Sequence, residues 1–185
     1  NILFIVMILW ALGGKSGAHP VVVTEIHYHE PPGADETEFG ELYNAGSIPL
    51  DMTGFAFTEG VRYEFPEGTV FEPGSYMVVA AQPERIQSRY GVSAFGPFEG
   101  RLDNDGDRLT LVREGGGVVV TLRYGDRDPW SGLPDGFGPS LSLLSPYKNL
   151  QLPENWRPSL VPGGTPGKAN GFTAETFDAL LVPAG

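Results

Sequence analysis

The chain has 185 residues, with 26 Gly, 17 Pro, no Cys and a formal net charge of −11. Without cysteine there is no disulfide framework, no thiolate metal site and no Cys nucleophile. The acid excess disfavours a phosphate-binding surface, because nucleic-acid affinity comes largely from Lys and Arg displacing counterions. The length allows one domain with a proper core, and Gly and Pro spread along the chain suit many short strands joined by turns.

Residues 2–12 are an uncharged apolar run, short for a bilayer-spanning helix and suited to a signal-peptide core. Ser16-Gly17-Ala18 puts small residues at the −3 and −1 positions of a cleavage site, so residues 1–18 read as a signal peptide or an uncleaved N-terminal anchor. Cleavage after Ala18 leaves a chain beginning His19-Pro20.

The first strand is expected over residues 21–28, ended by Pro31-Pro32-Gly33. The central strand is Glu38-Phe39-Gly40-Glu41-Leu42-Tyr43-Asn44, with Phe39, Glu41 and Tyr43 on one face and Gly40, Leu42 and Asn44 on the other. The turn cluster Asn44-Ala45-Gly46-Ser47 follows, then strand-like sequence over residues 50–57 and 61–65 flanking the hairpin turn Glu59-Gly60. Residues 75–81 are a nearly continuous apolar run, the pattern of a strand buried on both faces.

Residues 83–90 are the one helix candidate. Pro83 suits the first helical position and Gly91 the residue after the end, while Gln82 is a poor N-cap. Residues 108–113 and 118–124 form the next hairpin across Glu114-Gly115-Gly116-Gly117, and residues 140–144 are expected to be the final strand. No internal repeat is evident.

The order V-V-V-T-E-I, then E-F-G-E-L-Y-N-A-G-S, then L-D-M-T-G-F resembles the lamin tail domain family. The similarity continues through F-P-E-G-T-V-F-E-P-G-S-Y-M-V-V-A and closes with Asn155-Trp156-Arg157 and Gly163-Gly164-Thr165-Pro166-Gly167-Lys168-Ala169-Asn170. It covers about residues 20–170. It implies an all-β, immunoglobulin-like sandwich with one short helix, of the kind found in bacterial secreted and surface proteins. Gly40 departs from the pattern, standing where the family usually carries a large aliphatic residue. Some members of the family bind DNA, an implication that the charge of this chain opposes.

Four groups of residues are candidates for chemistry. Asp103, Asp105 and Asp107 alternate like the ligands of a calcium loop. Counting from Asp103, however, position six is Arg108 rather than Gly, and a plain turn fits as well. His27 and His29 share a strand face with Glu25 and suit a transition metal if a third ligand such as Glu41 joins them; polar residues at a strand end are the bland alternative. Glu25 and Glu41 are the best acid pair for acid–base work, each in mid-strand where a carboxylate is unusual. Trp130, Phe137, Tyr147 and Trp156 lie in loop-rich sequence and can either stack on a sugar ring or cap the sandwich. No nucleophile elbow, phosphate loop or dinucleotide fingerprint is present.

These readings define residues 19–170 as the sandwich domain and 171–185 as a linker or the start of a further region. No catalytic residue, resident metal or cofactor is expected, calcium at the three aspartates being the minor alternative. The expected function is a non-catalytic, exported structural or interaction module of a larger surface or secreted protein. Its partners would be other domains of the same polypeptide or envelope and extracellular proteins, with no nucleic acid, and with a membrane only through an uncleaved N-terminal segment. Two alternatives stand beside it: a carbohydrate- or other ligand-binding module using Trp130 and Trp156, and the accessory domain of a secreted hydrolase.

Overall fold

A computed structural model describes residues 20–34 and 36–172. The expected signal peptide or anchor, and all but the first two residues of the expected linker, lie outside the described residues.

Two five-stranded antiparallel sheets face each other. The first has the order β12-β11-β1-β2-β7, built from Trp156–Pro162, Pro139–Leu143, Val21–His27, Phe39–Asn44 and Tyr76–Ala80. The second has the order β10-β9-β4-β5-β8, built from Val118–Arg123, Arg108–Val112, Ala56–Glu59, Val61–Glu64 and Glu99–Gly100. A two-stranded ribbon pairs β3 (Leu50–Asp51) with β6 (Val70–Phe71). One helix, α1 (Pro83–Tyr90), follows β7. This is the sandwich architecture that the family resemblance implies.

The alternation of β2 divides its side chains as expected. Leu42 enters the core between the sheets, and a Cβ at Gly40 would point at Leu109 of β9. Phe39 lies on the opposite face, packed with Val78, Ala80 and Ile86 of α1. The apolar run of β7 has the same cause: Met77 and Val79 face the core, while Val78 and Ala80 lie under the helix. The helix ends where Gly91 adopts a left-handed conformation (φ 71°) and its N–H reaches the Gln87 carbonyl. Gln82 makes no side-chain cap, as its amide instead donates to Glu36. Asn44 fixes the turn after β2, with Nδ2 on the Phe71 carbonyl at 2.8 Å and Oδ1 accepting from Gly46 N at 2.9 Å.

One expectation is overturned. β11 is not the last strand, because Trp156–Pro162 pairs with it as β12, matching Leu143 to Trp156 and Leu141 to Pro158. Pro158 and Pro162 argue against a central strand and hide this one from a pattern reading, but β12 is an edge strand, where proline is tolerated. Trp156 is 2% exposed, part of the core, with its Nε1 on the Leu150 carbonyl at 2.8 Å. Among the described residues no helix is long and apolar enough to cross a membrane.

Candidate functional site

The outer face of the first sheet carries two carboxylates where a solvated or apolar surface would be usual. A bulge in β1 creates the arrangement. Val23 opposes Leu42 and Glu25 opposes Glu41, so Thr24 is the extra residue. Thr24 and Glu25 thus both lie beside Glu41, and beyond the bulge Ile26 resumes the inward position that Val23 held. Both glutamates are 0% exposed.

What seals them is the closing segment, residues 163–170, which runs across this face as a strap. Thr165 N donates to both oxygens of Glu25 at 3.1 and 3.0 Å, and Gly167 N donates to Glu41 Oε2 at 2.7 Å. From the neighbouring strand, Ser140 and Ser142 donate to Glu25 Oε1 at 2.5 and 2.8 Å. Thr24 donates to Glu41 Oε1 at 2.7 Å. Asn170 locks the end of the strap, its Nδ2 on the carbonyls of Thr24 and Leu143 at 2.9 Å each. Gly164 is required here. Its φ is +88°, and a Cβ would lie 2.7 Å from both Glu25 Oε1 and Ser140 Oγ. Tyr90 of α1 holds the other end, donating to the Gly163 carbonyl at 2.8 Å.

Burial raises the pKa of Glu25, with the hydrogen bonds from Ser140, Ser142 and Thr165 opposing it. Glu41 is pushed well above the usual carboxylate range, first by burial and then by the charge of Glu25. Glu25 has the richer set of donors, which favours its charged form, so Glu41 is the one of the pair pushed further toward the neutral acid. Every carboxyl oxygen already has a partner inside the fold. Acid–base chemistry on an outside molecule would require the strap to lift.

The candidate histidines and aspartates are not brought together around one point. His27 is buried, and its Nδ1 lies 3.3 Å from the Thr37 carbonyl. Desolvation lowers its pKa, with nearby Glu30 opposing the shift. His29 lies beyond the end of β1 and meets Asp135 Oδ1 at 2.5 Å. Asp103 accepts from Asp105 N at 3.0 Å, Asp107 accepts from Arg108 N at 2.6 Å, and Asp105 lies 3.9 Å from Arg127. That is a turn with each aspartate on a different partner, and the described residues contain no group of three or more His, Asp or Glu able to hold one metal ion.

Of the four loop aromatics, Trp156 is buried and Trp130 is half-buried against it, ring centroids 6.2 Å apart. Phe137 and Tyr147 are 74% and 77% exposed.

Sequence reasoning named the glutamates but missed their partners. The signal was present in β11, where Ser140-Leu141-Ser142-Leu143 alternates small polar with large apolar residues and so marks a face meeting something polar.

Two facing sheets, a core between them and a strap closed over buried carboxyls define an immunoglobulin-like domain. The family model of the Lamin Tail Domain matches residues 15–126, more than half of the chain, and the chain belongs to that family of immunoglobulin-like, non-catalytic domains. The match stops before β11, whereas the resemblance read from the motifs runs on to residue 170. No curated protein and no solved structure matches.

Proposed function

We propose that the chain is an exported, non-catalytic structural or interaction module within a larger surface or secreted protein. The carrying observation is the state of Glu25 and Glu41. The best acid pair in the sequence is spent on closing the fold, with strap amides and strand hydroxyls filling its oxygens. The apolar run over residues 2–12, followed by Ser16-Gly17-Ala18, supports export. Its partners on this reading are neighbouring domains of the same polypeptide or extracellular and envelope proteins.

The test is to express the complete reading frame in its own cells and treat intact cells with a protease. Digestion of this domain, together with a mature N-terminus at His19, is the expected result. Protection until the cells are lysed would defeat the export part. The non-catalytic part fails if a hydrolase screen finds turnover that Glu25→Gln abolishes.

A further inference from the structure

Glu25 and Glu41 stand directly opposite each other on β1 and β2, and neither is exposed. Like charges at directly opposed positions repel, and burial denies them hydration. The strap that covers them belongs to no strand or helix of the described residues. It is held by Thr165 N on Glu25, Gly167 N on Glu41, and Asn170 on the Thr24 and Leu143 carbonyls. Two of these attachments end on the very carboxyls that the strap hides. At its start, Gly163 N donates to the Gly138 carbonyl, and the Gly163 carbonyl accepts from Tyr90. Gly163 and Gly164 both have positive φ, 80° and 88°. Glycine turns there at little steric cost, so the strap can swing while β12 stays paired.

The surroundings of the pair are neutral. What opposes burial is Ser140, Ser142 and Thr165 on Glu25, and Thr24 and Gly167 on Glu41. Tyr76 of β7 lies near Glu41 and Tyr90 of α1 near Glu25, and burial raises the pKa of both phenols. Lys168, the strap's one charged residue, and Arg89 of α1 are exposed. A second negative charge on the pair would therefore have neutral donors and no water. Moving the strap aside hydrates it and leaves both sheets intact.

We propose that the strap is a pH-operated latch, closed while the pair holds a proton and lifting at Gly163–Gly164 when both carboxyls ionise. The direction follows from linkage. The closed strap keeps Glu41 protonated above the ordinary carboxylate range, and an open one returns it to water, so rising pH favours opening. Lifting uncovers Glu25, Glu41, Thr24, Ser140 and Ser142 as one polar face. The latch goes beyond the module reading and depends neither on export nor on the partner.

Hydrogen exchange of the full chain tests it, followed by mass spectrometry between about pH 5 and pH 9 and corrected for the intrinsic rate at each pH. Protection of residues 163–170 should fall by up to about tenfold per pH unit, the slope for one proton released on opening. The β9–β10 hairpin should remain protected at pH values where the strap no longer is. Glu41→Gln cannot ionise, so it should keep the strap closed and flatten its profile. Glu38→Gln, whose parent carboxylate accepts from Leu102 N away from the strap, should leave the slope unchanged. Asn170→Ala removes a lock without touching a carboxyl, and should lower protection by a constant factor at every pH. Strap protection independent of pH, loss of strap and hairpin protection together, or an unchanged slope in Glu41→Gln would each overturn the latch. Should Glu41→Gln fail to fold, the parent's two profiles decide: strap before hairpin supports the latch, and both together overturn it.

Discussion

Gly40 brings no side chain to the core from the middle of β2. Its backbone is ordinary strand, and a Cβ there would meet Leu109 Cδ2 at 3.6 Å, a normal contact. The gap beside it, bounded by Phe57, Val79, Phe98 and Leu102 among others, is only about 10 Å3. A methyl group fits and a branched chain does not. Sequence reasoning alone favours Val or Ile at this position; the cavity favours Ala. Removing the strand glycine and burying one methyl should each contribute about 0.5–1 kcal/mol. Together they should raise the melting temperature of Gly40→Ala by about 2–8 °C, whereas Gly40→Ile should overpack and lose about 1–3 kcal/mol relative to it. Calorimetry of the two variants checks the order. Glu41 gives a second test through pH. Its pKa in the folded chain is raised above the ordinary 4.5, so the folded state holds a proton that the unfolded state has released. That stabilisation is complete below about pH 4.5 and is lost as pH rises through the folded pKa. Glu25 is shifted the same way, and burial pushes Glu38 up to about 7. The melting temperature should therefore fall between about pH 5 and pH 8, and Glu41→Gln, which mimics the neutral acid, should flatten the fall. An unchanged slope in Glu41→Gln would assign the pH dependence to other groups.

At the scale of elements, the strap and β12 finish what the other strands begin. The strap has no ladder of its own and depends on Glu25 and Glu41 for its register. Gly164→Ala forces a non-glycine residue to φ +88° and drives a methyl into Glu25 and Ser140. It should cost about 1–3 kcal/mol, and protease nicking near residue 164 should quicken. A chain ended after Leu152 loses β12, Trp156 and the strap together. Truncating Trp156 alone to Ala is expected to cost about 3–5 kcal/mol, so the shorter chain should be unfolded by circular dichroism, while one ended after Asn170 should melt like the whole. The elements differ in how legible they are. β1, β2 and β7 declare themselves because one face, or both, is apolar at period two. The helix is framed by Pro83 and Gly91, residues that act through the backbone and need no tertiary partner. β12 is hidden because its two prolines are compatible with a strand only at a sheet edge, and edge position is a property of the assembled sheet. The strap is hidden for a related reason. Gly163-Gly164-Thr165-Pro166-Gly167 reads as loop, and its role comes from carboxylates more than a hundred residues earlier. The same distance makes Glu25 and Glu41 look like candidate catalysts until their donors are placed around them.

The whole molecule can be tested as a passive module. Residues 19–170 contain every described strand, the helix and the strap, and should fold without the flanking sequence. Removing residues 1–18 deletes only Lys15 among charged residues, so the domain keeps its acid excess. Non-specific DNA affinity scales with phosphates neutralised by Lys and Arg, and here the basic residues are scattered, with no run to follow a backbone. The arginines of the β9–β10 hairpin and of the turn after it stand among acids: Arg127 meets Asp105 and Asp126, and Arg108 follows Asp107 in the chain. Although some lamin tail domains bind DNA, the charge of this one opposes it. Fluorescence anisotropy near physiological salt should show no micromolar binding to duplex DNA, and a broad hydrolase screen should show no turnover. Glu25→Gln and Glu41→Gln accompany both assays. Their value lies in the asymmetry of the pair: Glu41→Gln copies the protonated state and should fold, whereas Glu25→Gln puts an amide among donors that need an acceptor and should be the less stable of the two. Turnover that vanished in the well-folded Glu41→Gln variant would show that the strap opens and that the buried carboxyls meet a substrate after all.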